Sequence, residues 1–91
     1  MAYRVILTPA AERQLGRVHG AALLALRGVI LALSDEPRPP GAVRVAGRRD
    51  VWRVRVRIDG QPWRVTFVLD DRDETVVTRV ARRDEGTYRD L

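Results

Sequence analysis

Between Trp52 and Ile58 the chain sets an arginine at every second position: Arg53, Arg55 and Arg57 alternate with Trp52, Val54, Val56 and Ile58. Strand side chains alternate between faces, so this spacing stands three guanidinium groups in a row on one face of a sheet. Asp59-Gly60 supplies a turn, and the next segment repeats the pattern, with Trp63, Val65, Phe67 and Leu69 apolar and Arg64 and Thr66 between them. Arg64 therefore faces the row from a neighbouring strand. A guanidinium stays protonated and presents its donors in a planar fork that matches phosphate. The chemistry on offer is to bind and polarise an anion, not to shuttle protons. Any antiparallel sheet with one wet face also alternates in this way. Against that simpler reading, like charges on neighbouring strands repel, so a face with so few acids gains stability from a bound anion.

The charge of the chain is concentrated here. Its 91 residues include 17 basic side chains, all arginine, against 12 acids, a net charge of +5. From Arg44 to Arg64 there are seven arginines and two acids, Asp50 and Asp59, a local excess equal to that of the whole chain. Such a stripe favours a polyanion, nucleic acid first. Arg82, Arg83 and Tyr88 lie near the C-terminus. A tyrosine among guanidiniums can stack on a base and donate its hydroxyl, although a solvated tail has the same composition.

Other chemistries have little support. Cysteine is absent and His19 is the only histidine, which excludes disulfides and thiolate metal sites and argues against zinc. No metal or cofactor is expected. His19 reads as a turn residue, Trp52 and Trp63 as core, and Asp70-Asp71 as a solvated hairpin tip. There is no phosphate-cradling glycine loop and no serine–histidine arrangement. No apolar run approaches the roughly 18 residues of a membrane span, and the N-terminus carries no cleavage pattern. A cytoplasmic protein with no membrane partner is expected.

The elements that must position the arginines follow from pattern and punctuation. Tyr3, Val5 and Leu7 alternate with Arg4 and Ile6 as a first strand. Thr8 then caps a helix that Pro9 can open without losing a hydrogen bond. Helices are expected over residues 9–18, with Ala11, Leu15 and Val18 on one face, and 21–34, with Leu23, Leu26, Ile30 and Leu33. The break at Gly20 makes them an αα-hairpin. Pro37, Pro39, Pro40 and Gly41 end the second helix. Strands are expected around residues 43–46, 52–58, 63–69 and 75–82, and the polar tail as one helical turn. The fold class is α+β, a single domain over residues 1–91. An N-terminal strand and an αα-hairpin pack on one face of a mostly antiparallel sheet, in the order β-α-α-β-β-β-β. The arginines belong on the other face.

This layout is familiar. "YRVILTPAAERQL", the connector "EPRPPGAVRVAG", "VWRVRVRIDGQPWRVTFVL" and "VTRVARRDEGTYRDL" together resemble the RelE/ParE toxin superfamily of type II toxin–antitoxin systems over nearly the whole chain. The resemblance implies a toxin that cleaves mRNA in the ribosomal A site and is held inactive by a cognate antitoxin protein. DNA would be met only through the antitoxin. It also implies a catalytic set around the scissile phosphate: Arg53, Arg55, Arg64, Arg83 and Tyr88. Arg44, Arg48, Arg49, Arg57 and Arg82 would hold RNA. The ribose 2′-OH would attack the adjacent phosphate while arginines stabilise the developing charge. Two departures bear on the mechanism. The best-known RelE branch has lysines where Arg53 and Arg55 stand, and an arginine cannot act as a base. The spacing from Arg83 to Tyr88 also differs, with Gly86 in a small insertion. Two alternatives remain at this point: a ParE-like inhibitor of DNA gyrase acting by protein contact, and a nontoxic, antitoxin-bound relic.

Overall fold

A computed structural model describes residues 3–47, 50–70 and 74–82. The element order is β1 (Arg4–Leu7), α1 (Pro9–Gly16), α2 (Gly20–Ala32), β2 (Val43–Arg44), β3 (Val51–Ile58), β4 (Gln61–Asp70) and β5 (Glu74–Arg82). The five strands form one sheet in the order β1-β5-β4-β3-β2. β1 runs parallel to β5, and every other pair is antiparallel. The expected order and α+β class are therefore found. Both helices end earlier than the sequence pattern predicts, and β2 is two residues long rather than four.

Thr8 explains where α1 begins. Its Oγ1 accepts a hydrogen bond from the Ala11 N–H at 3.2 Å, satisfying one of the unpaired donors of the first turn, with Pro9 at the first helical position. The helix closes at Gly16, where the Arg17 N–H donates to the Gln14 carbonyl and the Val18 N–H to the Leu15 carbonyl, and Val18 beyond it is still buried. His19 caps α2 without a side-chain hydrogen bond. From α2 and its C-cap, Leu26, Ile30 and Leu33 enter the core, where they meet Ala11 and Val18 and the sheet residues Val54, Ile58, Val65, Phe67, Val77 and Val80. α2 is apolar on its outer side too, with Leu24 and Leu31 exposed at i, i+7.

The β3–β4 hairpin fixes the register of the arginines. Asp59 and Gly60 both take positive φ, 51° and 77°, the backbone of a type I′ turn, which Asp-Gly favours. Ile58 then pairs with Gln61, Arg57 with Pro62, Arg55 with Arg64 and Arg53 with Thr66. Pro62 has no N–H to give, and it occupies a position opposite Arg57 that lacks ladder bonds. Val54 and Ile58 are buried while Arg55 and Arg57 are exposed, so the arginine row faces away from the helices.

On β5 the phase changes. Thr66 pairs with Arg79 but Phe67 pairs with Val77, so Thr78 is an extra residue in a β-bulge. Thr75, Val77 and Val80 all face the helices as a result, and Arg79 stands on the opposite face. The bulge is held from both sides: the Thr78 hydroxyl donates to the Thr66 carbonyl (3.3 Å), and the Thr8 hydroxyl donates to the Thr78 carbonyl (3.4 Å). Beyond it the Val80 N–H donates to Gln14 Oε1 at 2.6 Å, so α1 satisfies an edge that the short β1 does not reach.

Thr75 is fully buried, and its Oγ1 has no hydrogen-bond partner among the described residues. An unsatisfied buried hydroxyl costs about 1–3 kcal/mol, whereas an apolar group of the same shape carries no such penalty. Thr75→Val is expected to stabilise the protein by about 1 kcal/mol, raising the melting temperature by about 4–8 °C. An unchanged or lower midpoint by calorimetry would show that the hydroxyl is satisfied in solution.

Candidate functional site

Residues directly opposite one another on neighbouring strands share a face, so the register lays out the open side of the sheet in rows. One row reads Val43, Arg53, Thr66, Arg79; the next reads Arg55, Arg64, Ala81; the third is Arg57 and Pro62. The side chains of Arg53, Arg55, Arg57, Arg64 and Arg79 thus share one surface. Its acidic strand residues, Asp70 and Glu74, are register partners at the far end, where Glu74 is paired with Arg4 at 3.7 Å. Such a face carries a concentrated positive field, and its guanidiniums cannot relieve one another.

The centre is the Arg55–Arg64 pair. Counting from the hairpin turn, it falls at a position without ladder bonds, where side chains approach most closely. Arg55 is exposed and Arg64 half-buried. Beside Arg64 on β5 is Ala81, whose methyl leaves the end of the row open. Toward the hairpin turn, Arg55, Val56, Arg57, Pro62, Trp63 and Arg64 line a hollow of about 230 Å3. Arg53 is half-buried, and its Nε is enclosed without a hydrogen-bond partner among the described residues. Arg57 differs from these: its guanidinium donates to the Gly60 carbonyl at 3.2 Å and so is tied to its own turn.

Two arginines assigned from sequence do not join this surface. Arg44 pairs with Trp52 and therefore stands on the helix-bearing face. Its guanidinium lies 5.4 Å from the Trp52 ring centroid, with that of Arg38 at 5.7 Å, so both stack on the indole. Arg82 pairs with Trp63 and is likewise on the helix side of the sheet. Arg48, Arg49, Arg83 and Tyr88 lie outside the described residues. Arg79 was missed, because strict alternation along β5 turns it inward and only the bulge brings it out.

The assembled surface can bind successive phosphates and stabilise charge that develops on one of them. It has no base of its own among the described residues: no histidine or carboxylate stands within the arginine rows. Nor does any group of three or more His, Cys, Asp or Glu residues that could hold a metal ion occur among the described residues. No helix there is long and apolar enough to cross a membrane.

The sequence matches the family model described as "ParE toxin of type II toxin-antitoxin system, parDE" over residues 5–86. The chain belongs to this toxin family. No curated protein sequence matches it. Among solved structures it is similar to a doubly arginine-substituted form of the Escherichia coli toxin RelE in the free state. That match has a TM-score of 0.77 at 16% identity and covers 98% of this chain and 93% of the other. It is also similar to a chain of the toxin–antitoxin complex RelBE2 from Mycobacterium tuberculosis, with a TM-score of 0.73 at 26% identity over 91% of this chain and 100% of that one. The archaeal RelE–RelB complex from Pyrococcus horikoshii gives a TM-score of 0.64 at 22% identity, covering 93% and 99%. The protein is thus a RelE/ParE superfamily toxin with a RelE-like α+β fold.

Proposed function

We propose that this toxin is a ribosome-dependent mRNA endonuclease that inhibits translation. The observation that carries the reading is the open sheet face, where Arg53, Arg55, Arg64 and Arg79 converge with Arg55 directly opposite Arg64. The scissile phosphate lies in the hollow beside Arg64. The 2′-hydroxyl of the preceding ribose gives its proton to water as its oxygen attacks phosphorus, the bond to the 5′-oxygen breaks, that oxygen takes a proton from water, and a 2′,3′-cyclic phosphate and a 5′-hydroxyl result. Arg53, Arg55 and Arg64 stabilise the charge on the phosphoryl oxygens, and Arg83 and Tyr88 complete the catalytic set. Arg57 contacts the RNA backbone.

A second reading, a gyrase inhibitor acting by protein contact, draws support from the ParE family model. Induced expression followed by primer extension on a reporter mRNA separates the two. Breaks within codons are expected. Intact mRNA accompanied by an SOS response would transfer the assignment to gyrase.

The partner is a cognate antitoxin, as in the complexes of the M. tuberculosis and P. horikoshii relatives. An acidic or amphipathic antitoxin segment covers the basic face and silences the toxin. The exposed Leu24 and Leu31 of α2 are a second surface suited to such a chain, since large apolar side chains exposed together on one helix are ordinarily covered. Arg53→Glu together with Arg55→Glu is expected to weaken antitoxin binding by at least tenfold at moderate salt. Calorimetry that finds unchanged affinity would place the docking surface elsewhere.

A further inference from the structure

At the outer edge of β5 a second cleft, of about 370 Å3, is lined by Gln14, Arg17 and Val18 from the end of α1 and by Trp63, Arg79, Val80 and Ala81 from the sheet. It exceeds the hollow beside Arg64, and Trp63 lines both. Its construction follows from the topology. β1 pairs with β5 only as far as Val77, so among the described residues no strand lies beside the last part of β5 on that side. Gln14 takes the one place in the gap by accepting from the Val80 N–H. The bulge at Thr78 sends Arg79 to the same end, and α1 terminates so that exposed Arg17 comes to the rim.

We infer that this cleft is a second nucleotide subsite, in which Arg17 and Arg79 hold a phosphodiester of single-stranded RNA flanking the one bound beside Arg64, with the edge of Trp63 against its base. The inference rests on the RNA-binding reading of the arginine face and extends it past the sheet. The chemistry fits that ligand: two permanently charged forks suit phosphate, and an aromatic wall between two basic pockets suits a strand whose bases are unstacked. A protein segment adding to the β5 edge would instead need the Val80 N–H, which Gln14 already occupies.

The test uses the full chain and fluorescein-labelled oligoribonucleotides, one of three and one of nine nucleotides, with affinity followed by anisotropy across a salt series. Wild type is expected to bind the longer strand more tightly. Arg17→Ala is expected to erase most of that gain and to lower the slope of log affinity against log salt by about 0.7, the value for one phosphate of a single strand. Arg17→Lys retains the slope. Arg27→Ala, which removes an exposed charge from α2, alters neither quantity and controls for net charge. Circular dichroism verifies that each variant is folded. A length gain that survives Arg17→Ala, or that Arg27→Ala reduces equally, overturns the subsite, as does the absence of any gain in wild type. Cleavage on programmed ribosomes is scored separately. Its failure alongside an Arg17-dependent length gain would remove the nuclease reading and leave the subsite standing.

Discussion

Arg64→Ala is expected to lower single-turnover cleavage of mRNA on programmed ribosomes by about 10²–10³-fold, the effect of removing one donor to a transition-state oxyanion. Ribosome binding should persist, because Arg53, Arg55 and Arg57 still present the basic row. The position of Arg64 is what sets it apart. It lies on the central strand β4, is half-buried, faces Arg55 on one side and borders the space left by Ala81 on the other. No second arginine on β4 can replace it. Arg57, tied to the Gly60 carbonyl at 3.2 Å, is the contrast: Arg57→Ala should mainly weaken binding. Arg64→Lys refines the test, since lysine keeps the charge and loses the planar fork, so a partial rate is expected. Near-wild-type cleavage by Arg64→Ala would remove the catalytic role of Arg64 and move it to other residues of the basic face, with the nuclease reading left standing. Arg83→Ala, at a position outside the described residues, is expected to behave like Arg64→Ala.

How far the sequence discloses this site depends on which element is asked. β3 and β4 are legible because their side-chain period is two and the Asp-Gly turn fixes their register. That pattern alone places Arg53, Arg55, Arg57 and Arg64 on the face opposite Val54 and Ile58. The start of α1 is equally legible from Thr8 and Pro9. β5 is not, because "ETVVTRVAR" contains neither glycine nor proline to mark the extra residue. The bulge is stabilised instead by two threonine hydroxyls: that of Thr8, 70 positions away along the chain, donates to the Thr78 carbonyl, and that of Thr78 itself donates to the Thr66 carbonyl. Arg79 is hidden from pattern reading for this reason. Arg44 and Arg82 err the other way. A run of positive charge carries no information about faces, and the strand pairings that set both beside tryptophans are tertiary facts.

The bulge also makes Phe67 the residue on which the geometry of the site depends. Its side chain is fully buried, it pairs with Val77 at the step where the register shifts, and its neighbour Thr66 faces Arg79. Phe67→Ala is expected to cost about 3–5 kcal/mol, combining the lost burial with the cavity left behind. A chain of this length has a total stability of about 5–14 kcal/mol, so the loss is a large fraction of it. The urea midpoint should fall while the slope stays constant, because the surface exposed on unfolding hardly changes. Phe67→Leu keeps most of the volume and should cost less than about 1.5 kcal/mol. Activity separates this effect from that of Arg64. Phe67→Ala should lose cleavage steeply on warming and recover part of it on cooling, whereas Arg64→Ala should stay folded and inactive at every temperature. If Phe67→Ala unfolded no more readily than Phe67→Leu, the ring would not be the support of the β4–β5 step, and the outward placement of Arg79 would have to rest on the threonine hydrogen bonds alone.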